Sequence, residues 1–317
     1  MSDTRVVITG SSGYLGEALA RRCVTAGAKV LGLDVREPGS DWPDAAAFDL
    51  QDVTAESLGE KMRSFSPDVL VHLAWVFEPT HHRAREREVD MGGTENAFRA
   101  AIAAGARRIV YPSSTTAYGV DPQRRCLMRE VDAPLAHAAY PYAYYKARVE
   151  EWLPHFIAAH ADTDFIVLRP CIVIGPRARN IVTTVAEGPL MVRIAGYDPP
   201  VQFLHEEDAE EVFWRSIVDA PPGTYNVAGS GVMRYSELCR AAGRTPVPVP
   251  AALIYPLVAA GWFLRLLPYP TGLLDFIRYP WVAATDRLEQ EFGYKPRHTT
   301  REAFASYVES RAEKTGA

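Results

Sequence analysis

Cysteine is scarce in this chain of 317 residues: Cys23, Cys126, Cys171 and Cys239 lie far apart, with no CxxC pair and no histidine at ligand spacing. Neither a disulfide framework nor a structural metal site is expected from that pattern. Lysine is almost as rare, confined to Lys29, Lys61, Lys146, Lys295 and Lys314. Positive charge is not in excess, since 34 Lys and Arg face 39 Asp and Glu for a net charge of -5. Nothing in that balance favours a polyanion, so a general nucleic-acid binder is not expected. The opening MSDTRVVITG enters a strand-like run directly, without a basic stretch, an apolar core and a cleavage site, and a cytoplasmic protein is expected. Long hydrophobic runs are also missing. A spanning helix needs about 20 apolar residues, whereas the longest candidate, 251–267 (AALIYPLVAAGWFLRLL), is shorter, contains Pro256 and is broken by Arg265. It predicts a buried or interface helix, with an apolar lid over a substrate pocket and membrane-surface contact as alternatives.

What is present is an ordinary globular composition, 48% hydrophobic, 23% charged and 10% aromatic. No internal repeat or low-complexity tract stands out. Continuous β-branched runs at Arg5–Thr9, Lys29–Asp34, 68–74, Arg108–Pro112 and 164–169 predict strands buried on both faces. Between them, 14–26, 92–104 and 143–160 carry apolar residues at helical spacing, and Pro154 is expected to bend or shorten the last of these. Alternation of this length predicts an α/β fold with a doubly wound parallel sheet. After about residue 176 the pattern loosens into Pro-rich connectors. A dinucleotide-binding domain over 1–175, to which some later segments return, and a smaller substrate-binding lobe over 176–317 are therefore expected.

The loop Gly10-Ser11-Ser12-Gly13-Tyr14-Leu15-Gly16 joins the first strand to the first helix, where a dinucleotide pyrophosphate rests on a helix N-terminus. Glycines let the backbone turn tightly and approach phosphate without a Cβ in the way. Asp34 closes the second strand, where a carboxylate accepts hydrogen bonds from ribose hydroxyls and repels a 2′-phosphate, so NAD is favoured over NADP. Arg36 keeps NADP open, and Asp49 after the next extended stretch is either an adenine contact or a solvated loop acid.

Tyr142 is followed at i+4 by Lys146, and on a helix that spacing places both on one face. A phenol with a reference pKa of about 10 is a poor base at neutral pH, and a neighbouring cation favours the phenolate. Tyr142 is thus a candidate to exchange a proton with an alcohol or carbonyl. The hydroxyl-rich run 111–119 (YPSSTTAYG) follows the fourth buried run and is either oxygen-orienting chemistry or ordinary turn chemistry. His81 and His82, next to an Arg- and Glu-rich stretch, read as a solvated helix approach rather than metal ligands.

Taken together and in order, TGSSGYLG, VHLA, YPSSTTAYG, PYAYYK, LRPCIVIGP and FLHEEDAEEV resemble the extended short-chain dehydrogenase/reductase family, which includes nucleotide-sugar epimerases and dehydratases and 3β-hydroxysteroid dehydrogenases. The resemblance covers nearly the whole chain. It implies Ser114 as the hydroxyl orienting the substrate oxygen, Tyr142 as acid/base, and Lys146 as the cation that tunes the tyrosine and binds the nicotinamide ribose. It further implies Gly10, Ser12, Gly13, Tyr14, Leu15 and Gly16 around the pyrophosphate, and Asp34 and Arg36 at the ribose. Asp49 and Leu50 fall at the adenine, with Leu73 and Ala74 beside the cofactor. A homodimer through the helices of 92–104 and 142–160 is implied in the same way. His205 and Asp208 match the family segment and are expected to stabilise a lobe junction.

Departures bear on substrate. Asp90 stands where relatives carry asparagine, Ile172 where sugar-nucleotide enzymes often do, and Val201-Gln202 where they place a basic residue. Losing an amide and a cation removes donors that a diphosphate needs. Together with the apolar 251–267 stretch, this favours NAD-dependent hydride transfer on a secondary alcohol or ketone of a largely apolar substrate. A nucleotide-sugar 4-epimerase or dehydratase is the alternative, with Arg177, Arg179 and Arg193 available for phosphate. A non-catalytic nucleotide sensor is a third reading.

Overall fold

Strands that are apolar on both faces are buried only in a sheet covered on both sides. In the computed structural model, which describes residues 3–123, 127–188 and 190–315, seven strands share one sheet. They are β1 (Arg5–Thr9), β2 (Lys29–Asp34), β3 (Ala47–Leu50), β4 (Val69–His72), β5 (Arg108–Pro112), β6 (Asp164–Pro170) and β7 (Gly223–Val227). Their order is β7-β6-β5-β4-β1-β2-β3. β1 pairs in parallel with both β2 and β4, β2 with β3, β4 with β5, and β5 with β6. This is a doubly wound, Rossmann-like sheet. Strand order reverses at β1, and in such sheets a ligand crevice lies beyond the carboxyl ends of the strands at the reversal.

Two compact units alternate along the chain, one formed by Met1–Ser113, Arg148–Leu168 and Glu210–Tyr225, the other by Ser114–Ala147, Arg169–Ala209 and Asn226–Ala317. In the first, Val6, Val7, Ile8, Leu70, Val71, Ile109 and Val110 are sealed from solvent. Phe98 centres an aromatic cluster with Tyr111, Trp152, Phe156 and Phe165 at ring separations of 5.7, 6.3, 6.0 and 5.9 Å. Buried His72 crosses this core between the hydroxyls of Thr9 and Thr94. Thr94 Oγ1 gives its proton to the Asp90 carbonyl at 2.6 Å, so it accepts at 3.0 Å from His72 Nε2, and His72 Nδ1 shares a hydrogen bond with Thr9 Oγ1 at 2.8 Å. That chain ties β1 and β4 to the helix Thr94–Ala103.

The helix expected over 92–104 is Thr94–Ala103, entered through a π-turn at Glu88–Gly93. The helix expected over 143–160 is Pro141–Ala158, with proline at its first position, where no amide hydrogen is needed. Pro154 does not end it; Leu153 and Phe156, both buried, pack on either side of the turn that loses a hydrogen bond. Cys23, Cys171 and Cys239 are buried free thiols, and burial pushes Cys23 up to about 12; Cys126 lies outside the described residues.

The second unit has its own core, in which Phe203 stacks on Phe304 at 5.3 Å and Tyr307 packs beside it. Within this single chain the apolar 251–267 segment, expected as a buried or interface helix, is not a buried one. It forms Ala251–Phe263, buries Ile254, and leaves Leu253, Leu257, Phe263, Leu264 and Leu266 exposed. No helix among the described residues is long and apolar enough to cross a membrane.

The helix Ala251–Phe263 is fastened by Ile254, which packs on Ile194 and Leu274, and by a set of polar contacts. Tyr255 donates to Asp275 Oδ1 at 2.5 Å, His137 Nε2 stands 3.1 Å from Asp275 Oδ2, and the Arg278 guanidinium lies over the rings of Tyr197, Tyr279 and Tyr255 at 4.6, 5.0 and 5.7 Å. Burial opposes the charge on Asp275, but hydrogen bonds from His137 and Tyr255 and the charges of His137 and Arg278 outweigh it and hold the carboxyl below its ordinary value. Its stabilisation is therefore full above the ordinary carboxylate pKa of about 4 and is lost as pH falls through the lower folded value. Asp275→Asn is expected to lower Tm at neutral pH and to lose that deficit below about pH 4. Melting curves across pH check this, and a deficit independent of pH would contradict the assignment.

Candidate active site

In the first unit, the glycine loop after β1 is fastened to the end of β2. Gly10 donates to the Leu33 carbonyl at 2.8 Å, Ser12 N to Asp34 Oδ2 at 3.0 Å, and Ser12 Oγ to the Arg36 carbonyl at 2.6 Å. Arg36 N donates to Asp34 Oδ1 at 3.0 Å. The three glycines play different parts. Gly10 has φ +71°, and a Cβ there would lie 2.5 Å from Ala74 N, while a Cβ at Gly16 would lie 2.6 Å from the Ser11 carbonyl oxygen. At Gly13 the nearest atom to a Cβ would be 3.4 Å away, so this glycine leaves the loop open instead of packing it. No side chain caps the helix Tyr14–Thr25 at Gly13, which leaves the helix start to an external anion.

This cradle fits a dinucleotide pyrophosphate. Asp34, buried with two N–H groups on its two oxygens, keeps acceptor capacity for ribose hydroxyls. Tyr14 and Leu50 are exposed, the Arg36 side chain is 74% exposed, Leu73 is buried, and Ala74 abuts Gly10. Asp49 meets Lys61, whose Nζ is 2.6 Å from Oδ2, so part of its acceptor capacity is taken. Gly10→Ala is expected to destabilise the protein by about 1–3 kcal/mol, from the positive φ and the contact at Ala74. Chemical denaturation and NADH fluorescence titration check the loss of stability and of cofactor affinity together.

In the second unit, the helix beginning at Pro141 carries Tyr142 and, one turn on, Lys146. The lysine is 2% exposed, and its Nζ lies 5.8 Å from the Tyr142 ring centroid. Ser114, 6% exposed, starts the short turn Thr115–Tyr118 and accepts from Thr116 N at 3.1 Å and Thr116 Oγ1 at 2.9 Å. With those lone pairs occupied, the serine proton is what remains to offer a substrate oxygen.

The other tyrosines nearby are built differently. Tyr118 is sealed, accepts from Arg169 at 2.7 Å and faces Asn226 Oδ1 at 2.8 Å; burial pushes it up to about 12 although Arg169 opposes the shift. Burial likewise pushes Tyr140 up. Both are anchors rather than proton carriers.

Two features escaped sequence reading. Glu150, buried one turn beyond Lys146 on the same helix, accepts from the Ser113 hydroxyl. It thereby pins the residue preceding Ser114 to the helix of Tyr142 and Lys146. The i+4 repeat of Tyr142, Lys146 and Glu150 was the available signal. Gln202 is turned inward, its amide pairing with Ala283 N at 3.0 Å and Ala283 O at 3.2 Å like an added strand. Elsewhere, Asp90 accepts from Val76 N at 2.9 Å, Arg177 Nε donates to buried Glu206 at 2.9 Å, and His81 and His82 are exposed.

Comparison with known proteins agrees with this architecture. The chain is 28% identical over 318 residues to the uncharacterized protein Rv0501 of Mycobacterium tuberculosis, covering 96% of this chain and 84% of the relative. It is 29% identical over 243 residues to UDP-glucose 4-epimerase of Mycolicibacterium smegmatis, covering 72% and 75%. Among solved structures, UDP-glucose 4-epimerase of Thermotoga maritima with UDP-glucose superposes with a TM-score of 0.77 at 16% identity, covering 98% and 100%. The Bordetella bronchiseptica enzyme WbmG with NAD and UDP gives 0.76 at 22% identity, covering 99% and 96%. At these identities the structures speak for the fold. Residues 6–228 match the family model directly, and the chain belongs to the NAD dependent epimerase/dehydratase family.

Proposed function

We propose that the protein is an NAD-dependent oxidoreductase acting on a secondary alcohol or ketone of a largely apolar substrate, with Ser114, Tyr142 and Lys146 managing the proton. The observation that carries this reading is the buried Lys146 ammonium beside the Tyr142 ring, 5.8 Å from Nζ to centroid. The amides around Gly13 would hold the pyrophosphate, and Asp34 the adenosine ribose. When bound, the nicotinamide supplies a hydride acceptor or donor. Ser114 donates a hydrogen bond to the substrate oxygen and fixes its direction. Tyr142 Oη takes the hydroxyl proton during oxidation and returns it during reduction, while the Lys146 charge offsets the negative charge on that oxygen. Residues 176–317 would supply most of the substrate contacts. In this proposal, pairing of the 92–104 and 142–160 helices makes a homodimer.

The apolar substrate is supported by what is already committed inside the fold: Gln202 to Ala283, Arg177 to Glu206. The Gln202 amide is thereby turned away from a ligand, and the charge of Arg177 is partly offset by Glu206. A second reading, nucleotide-sugar 4-epimerase or dehydratase, draws on the M. smegmatis relative and on Arg193, whose buried Nε has no hydrogen-bond partner. A panel of hydroxysteroids, simple ketones and UDP- or TDP-sugars, followed at the NADH band and by product separation, separates the two. Net NADH change with an apolar alcohol or ketone is expected. Conversion of a nucleotide sugar without net NADH change would replace the first reading by the second.

A further inference from the structure

Away from these residues, three electron-pair donors converge in the second unit. His205 ends the strand Phe203–His205, Glu207 lies in the first turn of the helix Glu206–Val218, and His298 precedes the helix Thr300–Thr315. One ligand atom of each lies within 4.8 Å of the others. Glu207 Oε2 is 3.9 Å from His205 Nδ1 and 4.0 Å from His298 Nε2.

The surrounding hydrogen bonds fix which ring nitrogens carry protons. Ser306 donates its hydroxyl to the Ala303 carbonyl at 2.9 Å, so toward His205 Nε2, 3.0 Å away, it can only accept. The proton of neutral His205 is therefore on Nε2, and the Nδ1 lone pair is turned toward Glu207. Its present donor, the Glu207 amide at 3.3 Å, is a long bond. Asp208, sealed from solvent, accepts from His298 Nδ1 at 2.9 Å, which leaves the Nε2 lone pair of neutral His298 on the side of the Glu207 carboxylate. Two imidazole lone pairs and a carboxylate thus share one small volume, each imidazole held from behind by a hydroxyl or a carboxylate. That is the outer arrangement by which metal-binding histidines are oriented.

We propose that His205, Glu207 and His298 bind a borderline divalent transition cation of the zinc type, with water completing four-coordination. Tetrahedral bonds of about 2.1 Å place donors about 3.4 Å apart. The two separations from Glu207 must contract by about half an ångström, and the rings, now stacked at 3.9 Å and 27°, must splay. Glu207 is 64% exposed and free to swing inward. Nitrogen donors select zinc, nickel or cobalt over magnesium and calcium. The bound ion would cross-link a strand end, a helix start and the approach to the C-terminal helix, so its first effect is on stability. The spacing of histidines in sequence excludes such a site only for local motifs; here the fold brings distant residues together.

The test is zinc titration of the metal-stripped full chain by calorimetry, with cobalt absorption as a second readout and thermal melting as a third. One zinc per chain, a rise in Tm with zinc, and no displacement by magnesium are expected. Ser306→Ala, which touches only the outer arrangement, should weaken binding about 10–100-fold. Glu207→Gln should weaken it at least as much while leaving the metal-free Tm unchanged, because this side chain is exposed. Absence of zinc uptake by the parent would overturn the proposal. So would uptake of equal affinity in Glu207→Gln and His298→Gln, which would assign the ion elsewhere.

Discussion

Replacing Tyr142 by phenylalanine is expected to lower turnover by about 10²-fold or more, the usual loss when a positioned proton-transfer group is removed. The reason it should report chemistry rather than folding lies in the packing. The Tyr142 ring sits 5.8 Å from that of Tyr140 and against the cluster of Phe276 and Trp281, contacts that phenylalanine keeps. Tm and NADH affinity should therefore stay near the parent values while turnover collapses. Tyr140→Phe is the internal control. Tyr140 is buried with its hydroxyl pushed away from ionisation, so its variant should retain activity within a few-fold. Equal turnover in Tyr142→Phe and the parent, measured on whichever substrate the panel identifies, would remove Tyr142 from the role assigned to it.

Asp208→Ala is expected to be the most destabilising single change in the second unit, at about 3–5 kcal/mol. The carboxylate is sealed from water and accepts four hydrogen bonds: Tyr294 Oη at 2.6 Å and Arg297 N at 2.8 Å on Oδ1, His298 N at 3.0 Å and Nδ1 at 2.9 Å on Oδ2. Together they hold the segment 294–298 against the start of the helix Glu206–Val218. Truncation leaves buried donors without acceptors and a cavity too, and the corresponding fall in Tm is roughly 5–15 °C. Tyr294→Phe removes only one of the four bonds and should cost about 1 kcal/mol. Calorimetry of both variants checks the ratio; an Asp208→Ala penalty no larger than that of Tyr294→Phe would show that the other three bonds contribute nothing. The sequence matched His205 and Asp208 to a family segment and expected a lobe-stabilising role. The partners of Asp208 lie far along the chain, so no local pattern could name them.

The limits of reading the chain alone show most clearly in the 251–267 segment. Its all-round apolarity predicted burial or an interface, and within the single chain Leu253, Leu257, Phe263, Leu264 and Leu266 face solvent while Ile254 packs on Ile194 and Leu274 beside the polar set Tyr255, Asp275 and Arg278. Hydropathy reports how much apolar surface exists, whereas burial depends on whether an opposing surface is present. Gln202 shows the converse: a polar residue that could have faced a ligand is consumed by Ala283.

The sequence by itself determined the parallel sheet, the glycine loop, and the presence of Tyr142 and Lys146 on one helical turn. Each of these rests on short-range periodicity, and β-branched runs and i, i+4 spacing act through neighbours in the chain. Only the tertiary structure decided that β7 joins the sheet from residues 223–227, that Glu150 holds Ser113, and that His205, Glu207 and His298 face one point. Those pairings form between residues remote in sequence, where the geometry of the completed fold, and not local preference, sets which atoms meet.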